Sequence, residues 1–358
     1  MITISLCMIV KNEEQTLPRC LQSAGDLPDE IIVVDTGSSD GTVAAARRFG
    51  ATVAHFPWRD DFAAARNESF RLATRDYCLW LDADDVIEPA DLERFRALKK
   101  TLPPDTDVVM LPYHAAVDET GTPALTYERE RLIRRAAGFR WEGAVHEVIV
   151  PAGVIRHGDA AVTHRKTGPG DPDRNLRILE GLRRRRPLNP REQFYYAREV
   201  MYHDRDAEAA DALTAFLDDG RGWKEDCVQA ALDLASCRER LGQTEQILPA
   251  LSRALAYGPP RPELCCALGA YFIARKQWDA AAFWYEQALR QPPPETGFVV
   301  PDCRGYLPLL QLCVCSYHLG DTAAAAAFNE AAAQYRPDSA LCRQNRAFFE
   351  QLHAGGGG

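Results

Sequence analysis

Residues 30–42 read Glu30-Ile31-Ile32-Val33-Val34-Asp35-Thr36-Gly37-Ser38-Ser39-Asp40-Gly41-Thr42. A short apolar run closes on an aspartate and then on Thr, Gly, Ser and Asp, the residues that make turns and cap helices. The helical pattern Asp40–Phe49 follows at once, so these residues spell strand, polar turn and helix. The same unit recurs on both sides. Ile2–Val10 leads into Glu14–Ser23, Ala51–Phe56 into Phe62–Ala73, and Tyr77–Asp82 ends a further run. This alternation predicts an α/β domain with a largely parallel sheet covered by helices. Ligands of such sheets sit outside the carboxyl ends of the strands. Three polar groups are therefore expected on one edge: Lys11-Asn12-Glu13, Asp35–Thr42 and Asp82-Ala83-Asp84-Asp85.

The chain has 358 residues, more than one ordinary core supports, which predicts two domains. With 46% apolar and 26% charged residues it has the composition of a folded globular protein. A net charge of −9 argues against a nucleic-acid binder that works by neutralising phosphates. The run Ile2–Val10 is short, has no basic leader and reads as a buried strand, not a signal peptide. No stretch reaches the ~18 apolar residues of a membrane helix. The eleven cysteines are scattered through apolar segments without the spacing of a zinc knuckle. They are expected as reduced, packed thiols of a cytoplasmic protein.

Asp35–Thr42 has two readings, a turn with a helix cap at Asp40 or part of a ligand site. Asp82-Ala83-Asp84 is more pointed. Carboxylates two residues apart at a strand end can divide their labour between a sugar hydroxyl and a hard divalent cation. Taken together, Ser5–Glu13, Glu30–Thr42, Phe62-Ala63-Ala64-Ala65-Arg66-Asn67 and Leu81–Asp85 resemble the family 2 glycosyltransferases, whose nucleotide-binding half has the fold called GT-A. The resemblance covers residues 2–166. It implies a UDP-sugar donor and a divalent cation, Mn2+ or Mg2+. Asp35 is implied as the nucleoside contact, Arg66 as the arginine near ribose and phosphates, Asp82 as the first acid near the ribose, and Asp84 as the metal ligand. Val10, Asn12, Glu13 and Ala83 fall with them in the nucleotide-sugar site. The chemistry agrees, because a leaving nucleoside diphosphate develops negative charge that a cation and an arginine stabilise.

Beyond residue 125 the alternation stops. Tyr127–Arg134 and Phe139-Arg140-Trp141-Glu142-Gly143-Ala144-Val145-His146-Glu147 read as strands crossing a loop on the acceptor side. They resemble a subfamily pattern, Arg-Leu-hydrophobic-Arg and then aromatic-Glu-Gly-x-Val-His-Glu, with Val162-Thr163-His164 as its following strand. An inverting transferase needs a carboxylate to take the acceptor's proton; Glu147 is the first choice and Glu142 the second. The competing reading makes both of them structural acids that bind backbone amides or Arg140. His164 is either a metal ligand or a satisfied buried histidine, and His146 and His157 stand behind it. Trp141 is either a sugar platform in the donor site or a core residue.

From about Asp171 the pattern is helical throughout, with breaks near Pro187–Pro190, Gly220–Gly222, Gly258–Pro262 and Pro292–Pro301. Gly242, Ala254-Leu255 and Pro259 align with Leu268-Gly269, Tyr271, Trp278, Ala288-Leu289 and Pro292, and with Gly320, Ala331-Ala332 and Pro337. The repeat is near the tetratricopeptide length of about 34 residues. An earlier unit is expected over Gln193–Leu217, and the proline-rich insert Gln291–Pro301 lengthens one unit. The domains expected are thus 1–170 (GT-A), 171–354 (tetratricopeptide-like, all-α) and a flexible Gly tail, 355–358. Grooves of stacked helix pairs bind extended peptides or another subunit, while the alternative is that the repeats buttress the first domain or form a homodimer. Arg183–Arg186 is a basic run on a helix end, read as solvated surface, dipole complement or a lip for an acidic acceptor.

This architecture resembles the peptide S- and O-glycosyltransferases that modify bacteriocins, the sublancin S-glycosyltransferase type among them. The expected function is inverting, metal-dependent transfer of a sugar from a UDP-sugar to a Ser, Thr or Cys side chain of a peptide or protein. A cell-envelope glycan transferase, or a non-catalytic repeat adaptor that retains the fold, are the alternatives.

Overall fold

The computed structural model describes residues 1–117, 123–165, 168, 170–292 and 299–355. The chain divides into two compact units, Met1–Leu182 and Arg183–Gly358. Of the expected Gly tail only Gly355 is described, and 293–298 of the proline-rich insert also lie outside the described residues.

In the first unit the expected units appear in order: β1 (Ile4–Val10), α1 (Leu17–Ala24), β2 (Glu30–Asp35), α2 (Thr42–Arg48), β3 (Thr52–His55), α3 (Phe62–Leu72) and β4 (Tyr77–Trp80). After them come β5 (Asp85–Val86), α4 (Pro89–Thr101), β6 (Val108–Val117), β7 (Pro123–Arg134), β8 (Ile155–His157) and β9 (Val162–His164). The strand order is β3-β2-β1-β4-β7-β6-β9-β5, with β8 on β6. The β3-β2-β1-β4 half is parallel, and β7 then joins β4 antiparallel. Side chains alternate along β1 with a period of two. Leu6, Met8 and Val10 face a core that includes Leu17, Leu21 and Phe95, whereas Cys7 faces Ile32, Val34 and Phe70. Both faces are covered, which is why the strand is a near-continuous apolar run. Val10 pairs with Asp35, so β1 and β2 end level and present their polar loops together.

Beyond β7 the expectation needs correcting. Tyr127–Arg134 is strand, but Phe139–Glu147 is a loop closed by one bridge, Glu142 to Val148. Its backbone polar groups are satisfied from α3 instead of a sheet partner. Asn67 Nδ2 donates to Trp141 O, Trp141 N donates to Asn67 Oδ1, both at 2.9 Å, and Phe62 N donates to Ala144 O.

The division between the units falls within α5 (Arg174–Arg185). The second unit then runs through α6 (Pro190–Tyr202), α7 (Asp206–Asp219), α8 (Lys224–Arg240), α9 (Ile247–Arg253), α10 (Pro262–Ala274), α11 (Trp278–Arg290), α12 (Tyr306–His318), α13 (Thr322–Tyr335) and α14 (Ala340–Gly355). Consecutive helices pack as antiparallel pairs, and α6 also packs on α8, as α10 does on α12. Asn189 and Glu192 form a reciprocal capping box that starts α6. The close α10–α11 packing depends on Gly269, where a Cβ would stand 2.6 Å from the Tyr285 ring. Half of the basic run ties the end of α5 to α6: Arg183 donates to Tyr196 Oη, and Arg186 forms a two-pronged pair with Glu192. All eleven cysteines are free and buried, the packed thiols that their scatter implied. Among the described residues no helix is long and apolar enough to cross a membrane.

Candidate functional site

The three loops at the carboxyl ends of β1, β2 and β4 are tied into one edge. Asn12, at a left-handed φ of 56°, donates its N–H to Ser38 Oγ and accepts from Ser39 N at 2.8 Å. Glu13 N donates to Thr42 Oγ1 at 2.7 Å, and its carboxylate accepts from Thr16 Oγ1. Burial, together with the acids Asp84, Asp40 and Asp82, holds the Glu13 carboxyl above its ordinary range. Asp35 is 2% exposed and accepts from Ser38 N at 3.1 Å and from Gly37 N at 3.3 Å, while His55 Nδ1 lies 3.2 Å from it. Burial raises its pKa, but these partners outweigh it and keep it low, so Asp35 is a charged hub of the turn. Val10 and Ala83 are buried and can meet a ligand only through backbone. The Val10 carbonyl is already taken by Thr36 N and Oγ1.

At the centre of the edge stands Arg66. The Asp61 cap starts α3, accepting from Ala64 N, and points Arg66 under the sheet edge. Arg66 Nη2 donates to Asp82 Oδ1 and Nε to Glu147 Oε1, both at 2.7 Å. Its guanidinium packs against both Trp80 and Trp141, 4.9 Å from each centroid. Burial disfavours the charge, yet the two carboxylates hold the guanidinium firmly protonated. Burial likewise raises Asp82, and Arg66, Arg131 and Arg129 bring it below its ordinary value. Glu147 thus pairs with Arg66, not Arg140, and its Oε2 has no partner among the described residues. Glu142 is exposed on the same loop. Trp141 corrects the platform reading. At 3% exposure it packs edge-on against Trp80 and Phe70 and offers no open face to a sugar.

Beside this cluster, β5 and β9 pair so that Asp85 lies directly opposite His164. His164 Nδ1 is 3.4 Å from Asp84 Oδ1 and 3.6 Å from Asp85 Oδ1, and the two carboxylates push its pKa up to about 10. Nδ1 is buried without a hydrogen-bond partner. An orphaned imidazole nitrogen facing carboxylates is a donor set that suits a divalent cation, so Asp84 and His164 fit the metal that the sequence implied. His157 is elsewhere, bonded to Glu128 at 2.8 Å, and His146 is exposed.

Sequence reasoning placed Asp85 on this edge without giving it a role, and missed Tyr113 and Arg131. Asp85 and Arg131 form an ion pair with both side chains fully buried, and Tyr113 Oη donates to Asp85. Arg131 itself gave little signal, because it closes the charged run Glu128-Arg129-Glu130-Arg131 and Arg134 follows directly after Leu132-Ile133. A groove of about 320 Å³ in the first unit lies on the side of α3 facing Arg71, Arg134 and Arg140.

Residues 5–161 match the family described as Glycosyl transferase family 2. The chain is 30% identical over 296 residues to a TPR repeat-containing protein of Synechococcus elongatus, covering 82% of this chain and 58% of that protein. It is 29% identical to the SPbeta prophage-derived glycosyltransferase SunS of Bacillus subtilis, over 59% of this chain and 52% of SunS. It is 30% identical to the lipopolysaccharide core biosynthesis glycosyltransferase LpsC of Rhizobium meliloti, over 43% of this chain and 59% of LpsC. The chain therefore spans little more than half the length of these relatives. The family 2 glycosyltransferase match thus falls within the first, α/β unit, and the second unit is a series of packed helix pairs.

Proposed function

We propose that this chain, which carries a family 2 glycosyltransferase domain over residues 5–161, transfers a sugar from a UDP-sugar to a Ser, Thr or Cys side chain of a peptide or protein, with inversion. The observation that carries the reading is Arg66 held between Asp82 and Glu147 at the sheet edge beside Asp84 and His164. One arginine so placed serves both the departing diphosphate and the acceptor side. The acceptor oxygen or sulfur attacks the anomeric carbon, the bond to the β-phosphate oxygen breaks, UDP leaves, and the acceptor's proton passes to Glu147 through its open Oε2. Glu142 is the second choice of base on the same loop. Asp84 and His164 would hold the cation, Mn2+ or Mg2+, which would supply charge compensation for the leaving diphosphate. Asp35, Asn12 and Glu13 border the nucleoside end, with Ala83 contributing backbone and Val10 holding the turn through its carbonyl. Glycine-lined turns there leave room for close approach, Gly37 having φ 109° and open space at its Cβ position.

The acceptor class rests on the likeness to SunS together with the helical repeats, whose paired helices offer a surface for an extended peptide. The likeness to LpsC favours a second reading, a cell-envelope glycan acceptor. Eleven buried thiols suit a reducing, cytoplasmic setting. Calorimetric titration with UDP, with and without Mn2+, tests the donor site: binding should require Mn2+ and vanish in Asp84→Ala. Failure of the wild type to bind UDP under either condition would favour the adaptor reading. Peptides bearing Ser, Thr or Cys, set against envelope glycans and followed by mass increase, separate the two acceptor classes.

A further inference from the structure

Asp85 is held on every side. Its Oδ2 accepts from Asp82 N at 3.0 Å and from Arg131 Nη1 at 3.1 Å, and its Oδ1 accepts from Tyr113 Oη at 3.0 Å. One lone pair of Oδ1 is left over, and the nearest unsatisfied group is the buried His164 Nδ1, 3.6 Å away. Asp84, Asp85 and His164 together offer three ligand atoms within 4.8 Å of one another. Resting on the metal-dependent reading above, we propose that Asp85 is a third ligand of the cation, and that Tyr113 and Arg131 are the positioning residues that aim its Oδ1. The cation site is then assembled before any nucleotide enters.

The separations suit this assignment. Neighbouring ligands of an octahedral cation, each ~2.1 Å from it, stand ~3 Å apart, so the distances of His164 Nδ1 to the two carboxylates need to close by only about half an ångström. Charge suits it as well. Two adjacent acids repel one another, and Arg131, fully buried on Asp85 Oδ2, offsets one of them while leaving Oδ1 free. Arg131 cannot swing away, because its guanidinium lies 3.7 Å from the Trp80 ring centroid and 4.4 Å from that of Tyr113. The backbone sets the rest: Asp85 pairs with His164 across β5–β9, and Tyr113 with Val162 across β6–β9, so ligand and support share adjoining strands. Ligands fixed by strand pairing need little ordering when the ion binds. An imidazole with two carboxylates also favours Mn2+ over Mg2+, which prefers all-oxygen shells.

The test is titration of Mn2+ alone into the full chain, by calorimetry or by the free-Mn2+ resonance signal, without nucleotide. Wild type should bind one ion. Tyr113→Phe keeps the ring and removes only the hydroxyl; it should weaken Mn2+ by roughly tenfold, as loss of a partner behind a ligand does, with the chain still folded at the titration temperature. Asp85→Asn should weaken it further, and Tyr113→Phe remains decisive if that variant fails to fold around Arg131. Mn2+ binding that appears only with UDP, or equal Mn2+ affinity in wild type and Tyr113→Phe while His164→Ala loses it, overturns the assignment and leaves the transferase reading standing. No UDP binding even with Mn2+ present overturns both.

Discussion

Arg66 Nε donates to Glu147 Oε1 at 2.7 Å across 81 positions of sequence, while the same guanidinium holds Asp82 through Nη2. A lysine has no fork with which to bridge two carboxylates, and it loses the planar contact with the Trp80 and Trp141 rings. Arg66→Lys should therefore lower donor turnover by ~10²–10³-fold, the scale of losing one aimed electrostatic contact. Steady-state UDP release is the measurement. Activity within threefold of wild type would remove Arg66 from the proposed chemistry.

Glu147 and Glu142 are separable on the same loop. A base that takes the acceptor's proton contributes about 10²–10⁴-fold. Glu147→Gln keeps a hydrogen-bond acceptor for Arg66 and should lose this factor in kcat while still binding UDP. Glu142→Gln, at an exposed position, should stay near wild type. The reverse pattern would transfer the role to Glu142.

Asn67 couples α3 to the acceptor-side loop through its two hydrogen bonds with the Trp141 backbone. Asn67→Ala strands a buried N–H and C=O, so about 1–3 kcal/mol of stability should be lost. The looser loop should raise the KM for the acceptor and leave Mn2+-dependent UDP affinity unchanged. Equal damage to both affinities would show that Asn67 supports the whole edge, not the loop.

Asp226, on α8, carries a pH signature of the repeat unit. Burial pushes its carboxyl up to about 6 from the ordinary 3.8, against the pull of Arg191 and Arg198. The folded chain therefore binds this proton more tightly than the unfolded chain. The resulting stability is fully present below about pH 4 and is lost as pH rises through about 6, a change on the order of 2–3 kcal/mol. In Asp226→Asn the difference in thermal midpoint between pH 5 and pH 7 should shrink by several degrees. An unaltered difference would show that Asp226 does not titrate in this window.

The parallel half of the sheet, the cap-and-turn loops after β1 and β2, and the helix pairs of the second unit were legible in the chain's local patterns. Periods of 2 and 3.6, and turn residues at the ends of apolar runs, act over a few positions and need no distant partner. Asp82 and Asp84 were likewise visible, because strand ends in such sheets converge, whereas Arg66, on α3, was implied only by the family resemblance. What local pattern could not supply was pairing across long separations. Whether Trp141 faces a sugar or Arg66 depends on α3 holding a loop 74 positions away. Asp85 and His164 meet only because β9 returns beside β5. The work of Arg131 is set by Trp80, Asp85 and Tyr113, which come from three other stretches of the chain. Buried charges take their meaning from whichever partners the closed core brings to them, and a one-dimensional pattern does not contain those partners.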